Sequence, residues 1–419
     1  MRKKRTNWGS EINAFLLFFA SVISGAGYAE SAGRDYRFNG SISREVLDNY
    51  LSRATTYCEL LTPEGTRERP KCSLDEGIRF LTNTGAKFVG RSIYMWGGES
   101  HLPELLKQGK AAAEKVHQAD ADIVLQGCAF EIATREVNSL AVPEWVFAEF
   151  GQTPEQRSFN LDAMRYPPNQ YRDTWGRDSS IIPDISRLET RMWFFYLIAG
   201  YIDIGVEAIH LGQVEIMNER DPNNEGWYDV VSRARKYART HARRGFVIFD
   251  AHVPSGGILK DGKLLLDFHS FPLRIEELTG AGEQGMLKVG HYDSIYRRSP
   301  GGTTPSGWSC QALPYLVEFD NFGRSGHEGE VYGLHWIWGY DEIGWFARQP
   351  KEYREMWLYY AWHWLKINDP VGHLEMPGAR VLHYPVEDKR WYWANTPSDA
   401  VPTGFGDEEV IKAIWAADR

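Results

Sequence analysis

Short apolar runs recur along this chain, and most of them end in acids, histidines or glycines. The runs Ala86–Trp96 (AKFVGRSIYMW), Asp122–Phe130 (DIVLQGCAF), Val206–Gly212 (VEAIHLG) and Phe246–His252 (FVIFDAH) read as strands, as do Leu264–His269 (LLLDFH), Leu313–Asp320 (LPYLVEFD), Val331–Trp338 (VYGLHWIW) and Arg380–Tyr384 (RVLHY). Helical spacing appears between several of them. It predicts helices over Ser43–Leu60, Leu102–Gln118, Ser186–Ile202, Trp227–Arg244, Tyr353–Ile367 and Glu408–Ala417. Pro143–Asp184 has no clean period and reads as a long excursion over one face. Asp261-Gly262 predicts a hairpin turn.

The strands do not alternate cleanly, and helices separate several of them. That pattern predicts a parallel sheet buried on both faces. Eight such runs predict an α/β fold, a (β/α)8 TIM-like barrel with long loops on the catalytic face. A doubly wound sheet is disfavoured, because RSIYMWGGES lacks the G-x-G-x-x-G spacing. The expected organisation is a signal peptide over 1–29, an N-terminal segment over 30–77 and the barrel over 78–419.

The N-terminus changes the picture of where the chain works. Arg2–Arg5 supplies four positive charges, INAFLLFFASVISG an apolar core, and Gly27 and Ala29 small residues before a cut. This predicts a secreted or periplasmic protein without stable membrane insertion. Removing residues 1–29 takes away those four positive charges and Glu11, moving the formal charge from -9 to -12. Such a balance disfavours nucleic acid as a partner. The basic run Arg233–Arg244 reads instead as the solvated face of a helix. With 4 Cys and no C-x-x-C, neither a zinc knot nor a redox motif is expected. Cys58 and Cys72 are expected to form a disulfide in an exported chain.

The candidate chemistry lies where the runs end. Glu131 follows the second run. The third gives His210 with Gln213 and Glu215 just beyond it, the fourth Asp250 and His252, the fifth Asp267 and His269, and the sixth Glu318 and Asp320. Two carboxylates, one protonated and one ionised, are what glycosidic cleavage needs. Glu215 is the expected acid and Glu318 the expected nucleophile or base, with Asp250 and Glu131 as further candidates. His210, His252, His269, Asp320 and Asn321 are expected to bind substrate hydroxyls. Trp338, Tyr340 and Trp393 are expected to stack on sugar rings, given 16 Trp and 21 Tyr in the chain. The two Asp-x-His triplets also admit a divalent metal, although no zinc motif is present. No cofactor is expected, and no pattern sets an oligomeric state.

The layout from Lys87 to Pro385 resembles the barrel glycoside hydrolases, whose acids sit at strand ends. The resemblance implies a carbohydrate substrate and hydrolysis of a polysaccharide or oligosaccharide. Many members carry Asn-Glu at the fourth strand, whereas the fourth run here ends Phe249-Asp250-Ala251-His252. The alternatives are a metal-dependent hydrolase on the same barrel and a non-catalytic carbohydrate-binding protein.

Overall fold

A computed structural model describes residues 33–62, 72–168, 170–174, 177–273, 275–277, 285–287, 299–321 and 342–418. Asp35–Asp418 forms one compact unit. The expected leader lies outside the described residues, as do Trp338, Tyr340 and the run Val331–Trp338.

Ten strands carry the fold. They are β1 (Ala54–Tyr57), β2 (Phe88–Tyr94), β3 (Val124–Cys128), β4 (Ala208–Gln213), β5 (Ile248–His252), β6 (His269–Pro272), β7 (Tyr315–Glu318), β8 (Gly372–Leu374), β9 (Met376–Val386) and β10 (Lys389–Trp393). Helices alternate with them, giving an α/β fold. One sheet has the order β10-β9-β1-β2-β3-β4-β5, and another the order β8-β7-β6. Every pairing is parallel except β9 with β10. The sheets approach each other at two seams. At one, Glu375 alone separates β8 from β9. At the other, Asp267 N donates to Phe249 O at 2.9 Å, and Phe249 N donates to the Asp267 carboxylate at 2.8 Å.

The first strand precedes the expected barrel start at residue 78. Helix α1 (Arg44–Leu51) begins at Ser43, whose side chain accepts from Val46 N. It buries Val46, Leu47, Tyr50 and Leu51 on one face. It ends well before Leu60, because ATTY at 54–57 has two β-branched threonines and pairs with both β2 and β9. The 30–77 segment therefore contributes a strand to the sheet.

The fifth run is also displaced. Asp261 and Gly262 adopt positive φ (51° and 73°) and join Leu259–Lys260 to Lys263–Leu264 as the expected hairpin. Leu264 is thereby spent on the hairpin, and the parallel strand starts only at His269.

One buried layer explains where the chemistry sits. Ala54, Phe88, Val124, Ala208, Ile248, Phe268 and Leu316 pack together with the apolar face of α1. Side chains alternate along a strand, so the positions two residues onward share that side one level nearer the strand ends. Those positions are Thr56, Gly90, Gln126, His210, Asp250, Ser270 and Glu318. An apolar floor thus lies beneath a polar layer.

The disulfide expectation is corrected: Cys58 and Cys72 are buried thiols not joined to each other, and Cys128 and Cys310 are not disulfide-bonded either. Neighbouring strand positions face opposite ways. The Cys58 thiol lies 3.9 Å from Arg380 Nη1, whereas Cys72 sits 3.3 Å from the Tyr57 hydroxyl, on the other side. Burial pushes the Cys58 thiol up to about 11. Among the described residues, no helix is long and apolar enough to cross a membrane.

Candidate active site

Glu318 ends β7 and is the centre of the polar layer. Its Oε2 accepts from Arg91 Nε at 2.8 Å and from Arg380 Nη1 at 3.1 Å. Its Oε1 accepts from Arg91 Nη2 and from His252 Nε2, the latter at 3.0 Å. Burial alone would raise its pKa, but the charges of Arg91 and Arg380 outweigh it and hold the group well below the usual carboxylate range. Glu318 is therefore ionised at neutral pH.

Arg91 reaches this position through a backbone irregularity. Simple alternation would put it with Val89 on the other face of β2. The register breaks between Val89 and Ile93, and Arg91 takes a φ of 55°. Its N–H donates to Gln126 Oε1 at 3.0 Å. Arg380, on β9, binds the Asp320 carboxylate at 2.8 Å and Asn321 Oδ1 at 3.3 Å with its other terminal nitrogen. Phe319, between the two acids, turns away and packs on Phe346 and Trp357 of helices α2 (Glu342–Arg348) and α3 (Lys351–Asn368).

A second cluster adjoins the first. The Asp250 carboxylate accepts from Gln126 Nε2 at 2.7 Å, Ser270 Oγ at 2.7 Å and His210 Nδ1 at 2.8 Å. This network assigns the proton of His210 to Nδ1 and leaves Nε2 buried without a hydrogen-bond partner among the described residues. Burial lowers the His210 pKa against the opposing pull of Asp250, so the ring is held towards its neutral form. The His210 and His252 rings meet edge to face at 4.8 Å and join the two clusters. Phe130 packs on His210, and the half-buried Tyr94 and Trp96 pack on Phe130 at 5.4 and 5.3 Å. They form an aromatic wall beside the histidines.

The remaining sequence candidates separate clearly. Glu131 is buried against Gly212 and accepts from Gln213 N at 2.9 Å and Gln213 Nε2 at 3.2 Å. Glu215 lies in the short helix after β4, half-buried, with one bond from Ser255 N at 3.2 Å. His269 does not join the site. It opens β6 rather than closing it, and alternation turns Ser270 inward instead. It is buried with neither ring nitrogen partnered among the described residues, and burial lowers its pKa to about 4. Asp267 is likewise at the seam with β5, bound to Arg235. Trp393 is fully buried and packs on Tyr57 at 5.8 Å, so it offers no face to a sugar. Among the described residues, no group of three or more His, Cys, Asp or Glu is arranged to hold a metal.

Sequence reasoning passed over Gln126, Ser270, Arg91, Arg380 and Glu375. Each was visible as a polar residue within or beside an apolar run. Glu375 is fully buried next to Glu318, and burial followed by the Glu318 charge raises its pKa.

No family model matches the chain, and no curated protein matches it. Among solved structures, it is similar to a maltogenic α-amylase of Thermotoga neapolitana, with 12% identity, a TM-score of 0.31, and 53% of this chain and 50% of that chain covered. A debranching enzyme of Nostoc punctiforme gives 10% identity, a TM-score of 0.32 and coverage of 52% and 50%. An isomalto-dextranase of Arthrobacter globiformis gives 9% identity, a TM-score of 0.32 and coverage of 76% and 49%. The chain spans about half the length of these solved chains. Likenesses of this size carry no argument about activity.

Proposed function

We propose that the protein is a glycoside hydrolase built on a ring of eight parallel strands. In this reading β1 to β7 are the first seven staves, and β8 with β9 is the eighth, joined through Glu375. The seams at Phe249–Asp267 and at Glu375 support it, since one strand path pairs with β7 and then with β1. The missed strand shifts the count by one. Glu215 then follows the fourth strand, and Glu318 ends the seventh. The fourth strand ends at Gln213 and runs into Val214-Glu215 of the short helix, where many barrel hydrolases carry Asn-Glu.

The observation that carries the proposal is Glu318, fixed in the ionised state at a strand end among converging polar groups. Such a carboxylate suits attack on, or stabilisation of, an oxocarbenium-like centre. Of its partners, His252 is the most exposed, at 13% against 10% for Arg91 and 3% for Arg380, and is the one a substrate displaces most readily. Glu215 is the proton donor in this reading. Its only protein bond among the described residues is to Ser255 N, which leaves one oxygen for a leaving group. Asp250, bound by Gln126, Ser270 and His210, and Glu131, bound by Gln213, shape the site in this reading. Trp96 and Tyr94 take the place of Trp393 as the sugar platform.

The test is turnover on a glycan panel, with Glu215→Gln assayed beside the parent. The variant should lose at least about 10²-fold in kcat with little change in melting, since the side chain is half-buried. Tight glycan binding without turnover would replace the proposal with a non-catalytic binding protein. Turnover abolished by chelation would replace it with a metal-dependent hydrolase.

A further inference from the structure

We propose that Glu375 is a positioning residue of this site: a protonated carboxyl seated beside Glu318 that keeps Arg91 and Arg380 committed to Glu318 and Asp320. The inference deepens the reading of Glu318 as the ionised carboxylate and rests on it.

Three observations place Glu375 there. It follows Leu374, the register partner of Val317, and its N–H donates to Val317 O at 2.9 Å. Room for its head comes from Gly90 of β2, where a Cβ would lie 1.9 Å from Glu375 Oε1 and 3.5 Å from Gln126 Oε1. That Oε1 is buried and has no hydrogen-bond partner among the described residues.

Charge balance decides its state. The groups facing Glu375 are Glu318 on β7, Arg91 on β2, Arg380 on its own strand path, and the Thr56 hydroxyl on β1. Cys58 lies beside Arg380, and His252 beyond Glu318. Both guanidinium groups already bind Glu318, and Arg380 also binds Asp320. The two positive charges are thus matched by two carboxylates. A third ionised carboxylate would be an uncompensated charge in a fully buried place, which is costly. Consistently, burial and then the Glu318 charge push the Glu375 carboxyl up to about 8. Two neighbouring acids whose environments drive them apart are an arrangement that separates an ionised from a protonated role. On ionisation, Glu375 would compete with Glu318 for both arginines and loosen the site.

The test needs no substrate. Full-length protein carrying ¹³C-carboxyl glutamate is titrated by NMR, and melting is followed from about pH 5 to about pH 9. A glutamate carboxyl titrating above about pH 7 is expected in the parent and absent in Glu375→Gln. The sign follows from linkage: the folded state holds a proton that the unfolded state releases, so stability falls as pH rises towards the folded pKa. The parent should therefore lose melting temperature with rising pH more steeply than Glu375→Gln. Should the glutamine variant not fold, Glu375→Leu serves as the second reference. A parent in which every glutamate titrates below about pH 6 overturns the proposal. So does a pH slope of melting identical in parent and variant. A protein inactive on every glycan would overturn the hydrolase reading while leaving this titration readable.

Discussion

Glu318→Gln is the perturbation that bears most directly on the site. The amide keeps the shape and removes the charge. Whichever way it is turned, its NH₂ faces two donors. On one side these are Arg91 Nη2 and His252 Nε2, and on the other Arg91 Nε and Arg380 Nη1. Among the described residues, the variant also leaves Arg91 without a directly bound carboxylate and Arg380 with Asp320. Removing one member of a buried, hydrogen-bonded pair costs about 3–5 kcal/mol. Glu318 is 2% exposed, so solvent screening does little to reduce that figure.

The pH dependence has a definite sign. The folded pKa of Glu318 is depressed, so its contribution is fully present above the unfolded glutamate pKa and is lost as pH falls through the folded value. The stability gap between parent and variant should thus be widest near neutrality and shrink below about pH 4. Urea denaturation at neutral and acid pH, followed by circular dichroism, measures it. On the best substrate from a glycan panel, kcat should fall by about 10²-fold or more. A variant within about 1 kcal/mol of the parent at neutral pH, with the same acid dependence, would refute the buried ionic cluster. A folded variant with near-normal kcat would remove Glu318 from the chemistry.

Two further substitutions separate structural from functional roles. Gly212→Ala should destabilise by about 1–2 kcal/mol or more, because Gly212 has a φ of 64° and a Cβ there would lie 2.1 Å from Glu131 Oε2; unchanged denaturation would refute both the left-handed backbone and the close Glu131 contact. Trp393→Ala should cost about 3–5 kcal/mol in denaturant unfolding by leaving a cavity beside Tyr57, and a variant that loses only glycan affinity would return the residue to the binding surface.

The sequence by itself determined which face each residue of a well-formed strand takes. In YLVEFDNFG, period-two alternation puts Glu318 and Asp320 together above Leu316 and sends Phe319 to the helices, and the fold has that arrangement. It also supplied the alternation of helices with buried parallel strands, since apolar runs covered on both faces leave few other arrangements. What it did not hold was pairing. The partner of Glu318 is 227 residues away in Arg91 and 62 away in Arg380, and local periodicity says nothing across such separations. Parity even misplaces Arg91, which a break in register turns inward. The strand at Ala54–Tyr57 is too short and too polar to stand out, and takes its form from neighbours on both edges. Tertiary structure likewise decided that Ser270, not His269, faces the site, because the preceding hairpin delays the start of the strand. It kept Cys58 and Cys72 apart by placing them on opposite sides of one strand path, and it buried Trp393. In each case the deciding term was a contact between distant segments, where burial and charge compensation outweigh local preference.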